Sequence, residues 1–339
     1  MRQAFGQTFD IPDGYLNTAS IGVPPTAVAD AVEAAVRRWR TGADVPPWFD
    51  APVAEARAAF AALVGTDPSL VAIGASASQL FAVAAASVPD GSRVVVPAGE
   101  FTSTTFPFAA LGHRGVKVTE VPLAEIPDAM RDHDVLAASV VQSSDGSRLD
   151  LDAVRRNREG VIVALDATQA LGWLPLDLGW ADYVVGTGYK WLMTPRGAAW
   201  MAVHPDVVQR AVPVAANWYA GEDPWQSIYG LPLRLAGSAR RLDLSPVWFS
   251  HVGAAVALPW LASLDLAAVH RHNVGLANLL LDRLGLPPGD SAIVSVDADA
   301  DRLAAAGVRS SVRAGRVRLS FHLSNTADDV DLVAQALIR

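Results

Sequence analysis

The chain of 339 residues contains no cysteine. That absence removes disulfide bonds, thiolate metal sites and cysteine nucleophiles together. Basic blocks are missing too, and 27 Lys and Arg stand against 35 Asp and Glu. A net charge of −8 argues against a nucleic-acid-binding surface. No apolar run approaches the ~18 residues of a membrane helix. The opening MRQAFGQTFDIPDGY carries no apolar signal segment, so a soluble cytoplasmic protein is expected. No repeat, low-complexity tract or metal-ligand cluster stands out, and His251, His270 and His272 lie on helical segments without ligand spacing. What the chain has in quantity is apolar residues, 51%, enough to bury a large core in one large and one small domain.

Two apolar runs frame the most informative stretch. Val161-Ile162-Val163-Ala164-Leu165 ends on a single carboxylate, Asp166. Tyr183-Val184-Val185 ends on Gly186-Thr187-Gly188, and Lys190 follows. Continuous apolar runs of this length, bounded by Gly and Pro, suit parallel strands buried on both faces. Ligands of such sheets bind at the carboxyl ends of the strands, where Asp166 and Lys190 would stand. A carboxylate and a lysine in one crevice suit pyridoxal phosphate (PLP), which needs an amine for a Schiff base and an anion to keep its ring nitrogen protonated. Taken singly, each residue has a plainer reading: Asp166 as a helix cap, Lys190 as a solvated surface amine. Trp191, Leu192, Met193 and Pro195 weigh against the second, because apolar surroundings lower a lysine pKa and sharpen its nucleophilicity.

D-A-T-Q-A, about two dozen residues before Y-K-W-L-x-x-P-R-G, resembles the class V group of fold-type I PLP enzymes. That group includes cysteine desulfurases, selenocysteine lyases, kynureninase and isopenicillin N epimerase-like proteins. The resemblance covers most of the chain. It implies an α/β fold, with a large domain over 16–246 carrying a mostly parallel seven-stranded sheet. A small α+β domain would take 1–15 and 247–339.

By the same resemblance Lys190 is the Schiff-base lysine, Asp166 the partner of the pyridine nitrogen, and Gln169 a contact to the ring's 3-oxygen. Thr187 stands where the family has a phosphate-binding serine, and Tyr189 replaces the usual histidine before the lysine. Ser76, Ala77 and Ser78 open an Ala-rich helix at the family's phosphate site, where backbone N–H groups and the helix dipole favour an anion. Phe101 takes the place of the aromatic that stacks on the ring, often a histidine; read without the family it is a core phenylalanine. Ser143 falls where an asparagine near the ring is common.

The segment DGYLNTASIGVPP would cross the mouth of the site, making Asn17, Ala19 and Ser20 substrate-side candidates. R-L-S-F-H-L-S-N-T, beginning at Arg318, is similar to the family strand whose arginine grips the substrate α-carboxylate. Ser238 would reach the phosphate of a neighbouring subunit, which implies an obligatory homodimer. Trp218, Tyr219, Trp225 and Tyr229 would then line the substrate entrance.

Elsewhere the pattern alternates strands (Leu70–Ile73, Arg93–Pro97, Val116–Val121, Val135–Val141) with helices, the signature of a doubly wound sheet. Ala198–Val203 reads as an antiparallel member. Lacking a thiol, the protein is no persulfide-type desulfurase. Similarity to actinobacterial C–S lyases favours β-elimination from an amino acid. The second reading is an aminotransferase, with Arg234, Arg240 and Arg241 receiving an acidic co-substrate. No metal, nucleic acid or membrane partner is expected.

Overall fold

The computed structural model describes residues 1–338. The chain opens with a hairpin, β1 (Arg2–Ala4) and β2 (Gln7–Phe9), and two helices, α1 (Thr26–Arg40) and α2 (Asp50–Val64). Strands and helices then alternate: β3 (Val71–Gly74), α3 (Ala77–Ala86), β4 (Arg93–Pro97), α4 (Thr102–Ala109), β5 (Lys117–Val121), α5 (Ile126–Ala129), β6 (Val135–Ser139) and α6 (Leu151–Asn157). Next come β7 (Ile162–Asp166), β8 (Tyr183–Thr187), β9 (Ala199–Val203) and the short α7 (Pro205–Val208). After a long irregular stretch come α8 (Trp248–Ser263), α9 (Leu266–Arg283), β10 (Ile293–Val296), α10 (Ala300–Ala305), β11 (Ser311–Arg313), β12 (Arg316–Ser320) and α11 (Ala327–Ile338).

The main sheet has seven strands in the order β3-β9-β8-β7-β6-β4-β5. Only β9 runs against the rest, as its run after the lysine turn predicts. Both faces are covered. Val163 and Leu165 of β7 join a core with α2 and α8, whereas Ala164 between them joins one with α3 and α4. Residue alternation in a strand sends neighbours to opposite faces, which is why the run must be apolar throughout. Burial of this kind contributes roughly 1.5–3 kcal/mol for each large aliphatic side chain. No single described helix is long and apolar enough to cross a membrane.

A buried ion pair ties α2 to the sheet edge that leads into α3. Arg57 grips Asp243 at two points, 2.7 and 3.1 Å, and Asp243 Oδ1 also accepts the Ile73 N–H at 2.9 Å. Truncating one member of such a buried pair would leave the other uncompensated.

β10, β12 and β11 form a separate antiparallel sheet with a core of its own, covered by α9 and α11. The N-terminal residues attach here. Arg2 pairs with Asp329 at 2.6 Å, Gly14 N donates to Asp329 at 2.8 Å, and Leu16 N donates to the Arg309 carbonyl at 2.9 Å.

Several expected boundaries shift. The run expected as a strand to Val141 stops at Ser139, whose N–H turns to Glu100 at 2.7 Å instead of continuing the ladder. A helix starts directly after Phe101, and β1, β2, α10 and β11 are further elements that the sequence pattern does not announce. At three to eight residues, these elements are too short to show a period.

Candidate active site

The carboxyl ends of β4, β6, β7 and β8 meet at one place, and the register explains it. Ser139 pairs with Asp166 and Asp166 with Val185, so the three strands end almost level. The chain leaves β4 for β5 at the edge and returns to β6 on β4's other side. That is a topological switch point, the usual binding crevice of an open α/β sheet.

A pocket of about 120 Å³ lies there, lined by Ala75, Ser76, Ala77, Ser78, Phe101, Ser103, Asp166, Thr168, Thr187, Tyr189, Lys190 and Arg196. Lys190 is buried, 7% exposed, with Nζ 5.3 Å from the Phe101 ring centroid and 5.6 Å from that of Tyr189. Burial pulls its pKa down to about 8; Asp166 opposes the shift, while Arg318, Arg313 and Arg196 assist it. More of this amine is therefore unprotonated near neutral pH than of an ordinary lysine, as a nucleophile requires.

Asp166 is buried at 5% exposure, accepts the Thr168 N–H at 2.8 Å and has the Thr104 hydroxyl at 3.4 Å. It forms no direct ion pair with any described residue. A buried carboxylate in this state is set to meet a cationic N–H from outside the chain.

At the other end, Ser76 caps α3, its Oγ accepting the Gln79 N–H at 3.3 Å and lying 3.3 Å from Ser78 Oγ. Thr187 N donates to Thr168 Oγ1 at 3.2 Å, and the Arg196 guanidinium lies 5.2 Å from the Tyr189 ring centroid. Hydroxyls, a helix N-terminus and an arginine converge as an anion cradle does.

The chain's first loop packs against the lysine turn. Gly22 N donates to the Tyr189 carbonyl at 2.9 Å, and a Cβ on Gly22 would collide with the Lys190 carbonyl oxygen. Only glycine permits this approach of the loop to the lysine turn. Ala19 is pinned from two sides, its N–H donating to Ser320 Oγ at 3.0 Å and its carbonyl accepting Gln169 Nε2 at 3.1 Å. Asn17 Oδ1 is buried without a partner among the described residues.

Arg318, 1% exposed, donates to the Ser143 carbonyl at 2.5 Å, to Ser143 Oγ at 3.1 Å, to Ser311 Oγ at 3.2 Å and to Ser20 Oγ at 2.7 Å. No described carboxylate pairs with it. Burial, and then the nearby Arg313, lower its pKa to about 10.

Gln169 and Ser143 link these two sides. Gln169 Oε1 accepts the Trp191 indole N–H at 2.7 Å, and its Nε2 lies 3.2 Å from Ser143 Oγ. Ser143 thus holds Arg318 and Gln169 in one network. Behind the lysine, His322 is fully buried, its pKa driven to about 3 by desolvation, and Nε2 meets the Trp191 carbonyl at 2.9 Å. It stays neutral and braces the turn.

Ser238 is not brought to this pocket within the chain; its Oγ accepts the Arg240 N–H at 3.4 Å. The entrance aromatics also lie elsewhere in the chain. Trp225 Nε1 and the Tyr219 hydroxyl both donate to Asp50, at 3.0 and 3.3 Å, anchoring their loop to the start of α2. Arg234 and Arg240 bond carbonyls of that same loop, and Arg241 bonds Gln209.

The structure adds Arg196, Thr168, Ser103 and Arg313 to the candidates. Arg196 and Thr168 stand inside the two motifs and are legible there, while nothing local marks Ser103 or Arg313. Glu100 is a further addition: its carboxylate accepts Ser139 N and Oγ, Gln142 Nε2 and Phe101 N at 2.6–2.9 Å, welding the ends of β4 and β6. Among the described residues no three His, Asp or Glu side chains converge on a metal site.

A family model for class-V aminotransferases matches residues 39–306. The chain belongs to the aminotransferase class-V family. Its fold is that of the fold-type I PLP-dependent enzymes. An uncharacterized aminotransferase of Bacillus subtilis, YcbU, is 27% identical over 307 residues, 81% of this chain and 80% of that one. Isopenicillin N epimerase of Streptomyces clavuligerus is 24% identical over 186 residues, 48% of this chain and 46% of the epimerase. Among solved structures, a mutant of the cystine C–S lyase C-DES, with glycine covalently linked to its PLP cofactor, superposes with a TM-score of 0.85. It has 18% identity over 96% of both chains. The cysteine desulfurase CsdA of Escherichia coli gives a TM-score of 0.82 and 19% identity over 97% of this chain and 95% of that one.

Proposed function

We propose that this class-V family member binds PLP between Asp166 and the α3 N-terminus, with Lys190 as its covalent anchor, and processes an α-amino acid. The observation that carries the reading is the pair of buried, uncompensated charges on either side of a depressed lysine. Among the described residues Asp166 has no paired cation and Arg318 no paired anion, and a cationic ring nitrogen and a substrate carboxylate would satisfy both. When bound, PLP supplies an electron sink for charge developing at the substrate Cα. The protein's part is to hold that atom and move its protons. Lys190 Nζ would be the base at Cα and Phe101 would cover one face of the ring without a proton of its own. Gln169, whose Nε2 donates to the Ala19 carbonyl and to Ser143 Oγ, would turn one of these N–H groups toward the ring's 3-oxygen. Ser76, Ala77, Ser78, Thr187 and Tyr189, with Arg196, take the phosphate, and Ser143, Asn17 and Ala19 shape the substrate side.

Ser238 completes the phosphate site only from a second copy. The exposed Tyr229, Leu231 and Leu233 nearby support a homodimer joined there. A division into 16–246 and 1–15 with 247–339 belongs to the same reading, with α8 at its boundary packed beside α2 on the large sheet, as does a cytoplasmic location.

For the reaction we place β-elimination of a sulfur-linked leaving group first. It needs a base at Cα and no enzyme thiol, and the chain has the one and lacks the other. Transamination is the second reading, favoured by the B. subtilis aminotransferase that aligns over 81% of the chain. Incubating the PLP-loaded protein with single amino acids separates them. Pyruvate and ammonia mark elimination, and conversion of an added 2-oxo acid into a new amino acid marks transfer. Neither product from any amino acid would end the reading.

Arg318→Ala is expected to raise KM for the amino acid strongly while the cofactor absorbance stays as it was. Removing one partner of a buried charge pair costs about 2–5 kcal/mol, or roughly 30-fold to several-thousand-fold in kcat/KM. Arg318→Lys should recover only part, since an ammonium is a point charge without the planar fork. A loss of only a few-fold would place the carboxylate elsewhere.

A further inference from the structure

Beside Arg318 stands a second arginine for which the described residues offer no acid. Arg313 ends β11, and the tight turn through Ala314 and Gly315, at φ of 47° and 77°, swings the chain back into β12. Its Nη1 donates to the Val312 carbonyl at 2.7 Å. Its Nη2 lies 3.5 Å from Ser20 Oγ, the same hydroxyl that Arg318 Nη2 meets at 2.7 Å. Two guanidinium groups therefore share one serine. Like charges this close repel, and the cost persists unless an anion joins them. The repulsion registers on both neighbours, since Arg313 helps to lower the proton affinities of Arg318 and Lys190.

Arg313 also lines a groove of about 260 Å³ together with Gly99, Phe101, Ser143 and Ser144. Phe101 lines this groove and the Lys190 pocket alike, so the two adjoin across its ring. Glu100 borders the groove, but its oxygens already take four donors from Ser139, Gln142 and Phe101. It is not the partner of Arg313. The groove therefore holds one carboxylate already taken up by four donors and, beside the Ser144 hydroxyl, one guanidinium without an acid partner among the described residues.

We propose that this groove is the side-chain subsite and that the substrate is an α-amino acid bearing a second acidic group, a carboxylate or a sulfur oxyacid, which Arg313 binds. The inference rests on the α-amino-acid reading above. Arg318 takes the α-carboxylate deep in the site, and Arg313 takes the distal anion at the mouth.

The test uses the PLP-loaded protein and matched pairs, aspartate against asparagine and glutamate against glutamine. Binding is followed by the change in cofactor absorbance. The acidic member of a pair should be favoured roughly ten- to hundredfold, the range of a charge-assisted hydrogen bond. Added salt should shrink that ratio, because the rim is exposed to screening. Arg313→Gln should bring the ratio close to one, and Arg313→Glu should turn the preference toward lysine over glutamine. A wild-type ratio near one, with both members still bound, overturns the inference and leaves the PLP reading standing. An equal loss on both members of a pair in Arg313→Gln also overturns it, because Arg313 would then serve the α-carboxylate. No absorbance change with any amino acid would remove the α-amino-acid reading and this inference together.

Discussion

Lys190→Ala is expected to abolish turnover and the borohydride-bleachable absorbance, while the fold and weak PLP binding persist. The amine is both the covalent anchor and the base at Cα in the proposed site, and nothing nearby replaces it. Phe101 carries no proton, and burial raises the pKa of Tyr189 further from neutrality. Wild-type turnover in the variant would end the PLP-enzyme reading.

The same lysine makes a second, independent readout. Its pKa of about 8 lies well below the ordinary 10.5, because burial penalises the ammonium. The native state then binds fewer protons here than the unfolded chain between pH 8 and 10.5. Stability of the cofactor-free protein should therefore rise with pH across that window, and below pH 8 the full cost is borne. At about 1.36 kcal/mol per unit that cost is about 3 kcal/mol. Lys190→Met keeps the bulk and removes the charge, so urea unfolding near neutral pH should show a gain of this order. The gain should fade as pH approaches 10.5. A variant less stable than wild type near neutral pH would contradict the assigned burial cost.

Asp166→Asn should retain PLP and lose activity by several orders of magnitude. Asp166 is buried with a single short hydrogen bond, from Thr168 N at 2.8 Å, so its charge is little dissipated within the chain. An amide of the same shape keeps the packing and loses the ion pair to a protonated ring nitrogen. In a site of low effective dielectric that pair is worth far more than in water. The loss should fall on kcat, with the phosphate end still holding the cofactor at Ser76, Thr187 and Arg196. A near-wild-type kcat in the Asp166→Asn variant would mean that another group controls the ring nitrogen.

That the sheet is mostly parallel and covered on both faces was legible because its strands are buried on both faces, whereas the strand order was not. Val163-Ala164-Leu165 must be apolar at every position, so the run announces itself and the polar residue ending it marks the crevice. The placement of Asp166 at the end of β7 and of Lys190 just after β8 was readable for that reason. Residues whose place depends on a loop carry no such mark. Ser238 was expected at the phosphate of a neighbouring subunit with the aromatics near it at the entrance, and within their own chain they pack on α2 and on their own loop. A loop carries no period, and its contacts are chosen by whatever surface is in reach.

By itself the sequence determined the absence of thiol chemistry, the buried parallel strands and the identity of the residues at their ends. Those follow from composition and from continuous apolar runs, which are local properties. Only the tertiary structure decided that Glu100 welds β4 to β6, that Gly22 lets the first loop lie against the lysine turn, and that Arg313 shares Ser20 with Arg318. Ser20 and Arg313 are 293 positions apart, and no local pattern relates them. Their meeting is set by the antiparallel pairing of β11 with β12 and by the anchoring of residues 14–20 on that small sheet. The charges that define the substrate side are therefore a product of packing between distant segments, where a lone arginine in sequence reads as a solvated surface residue.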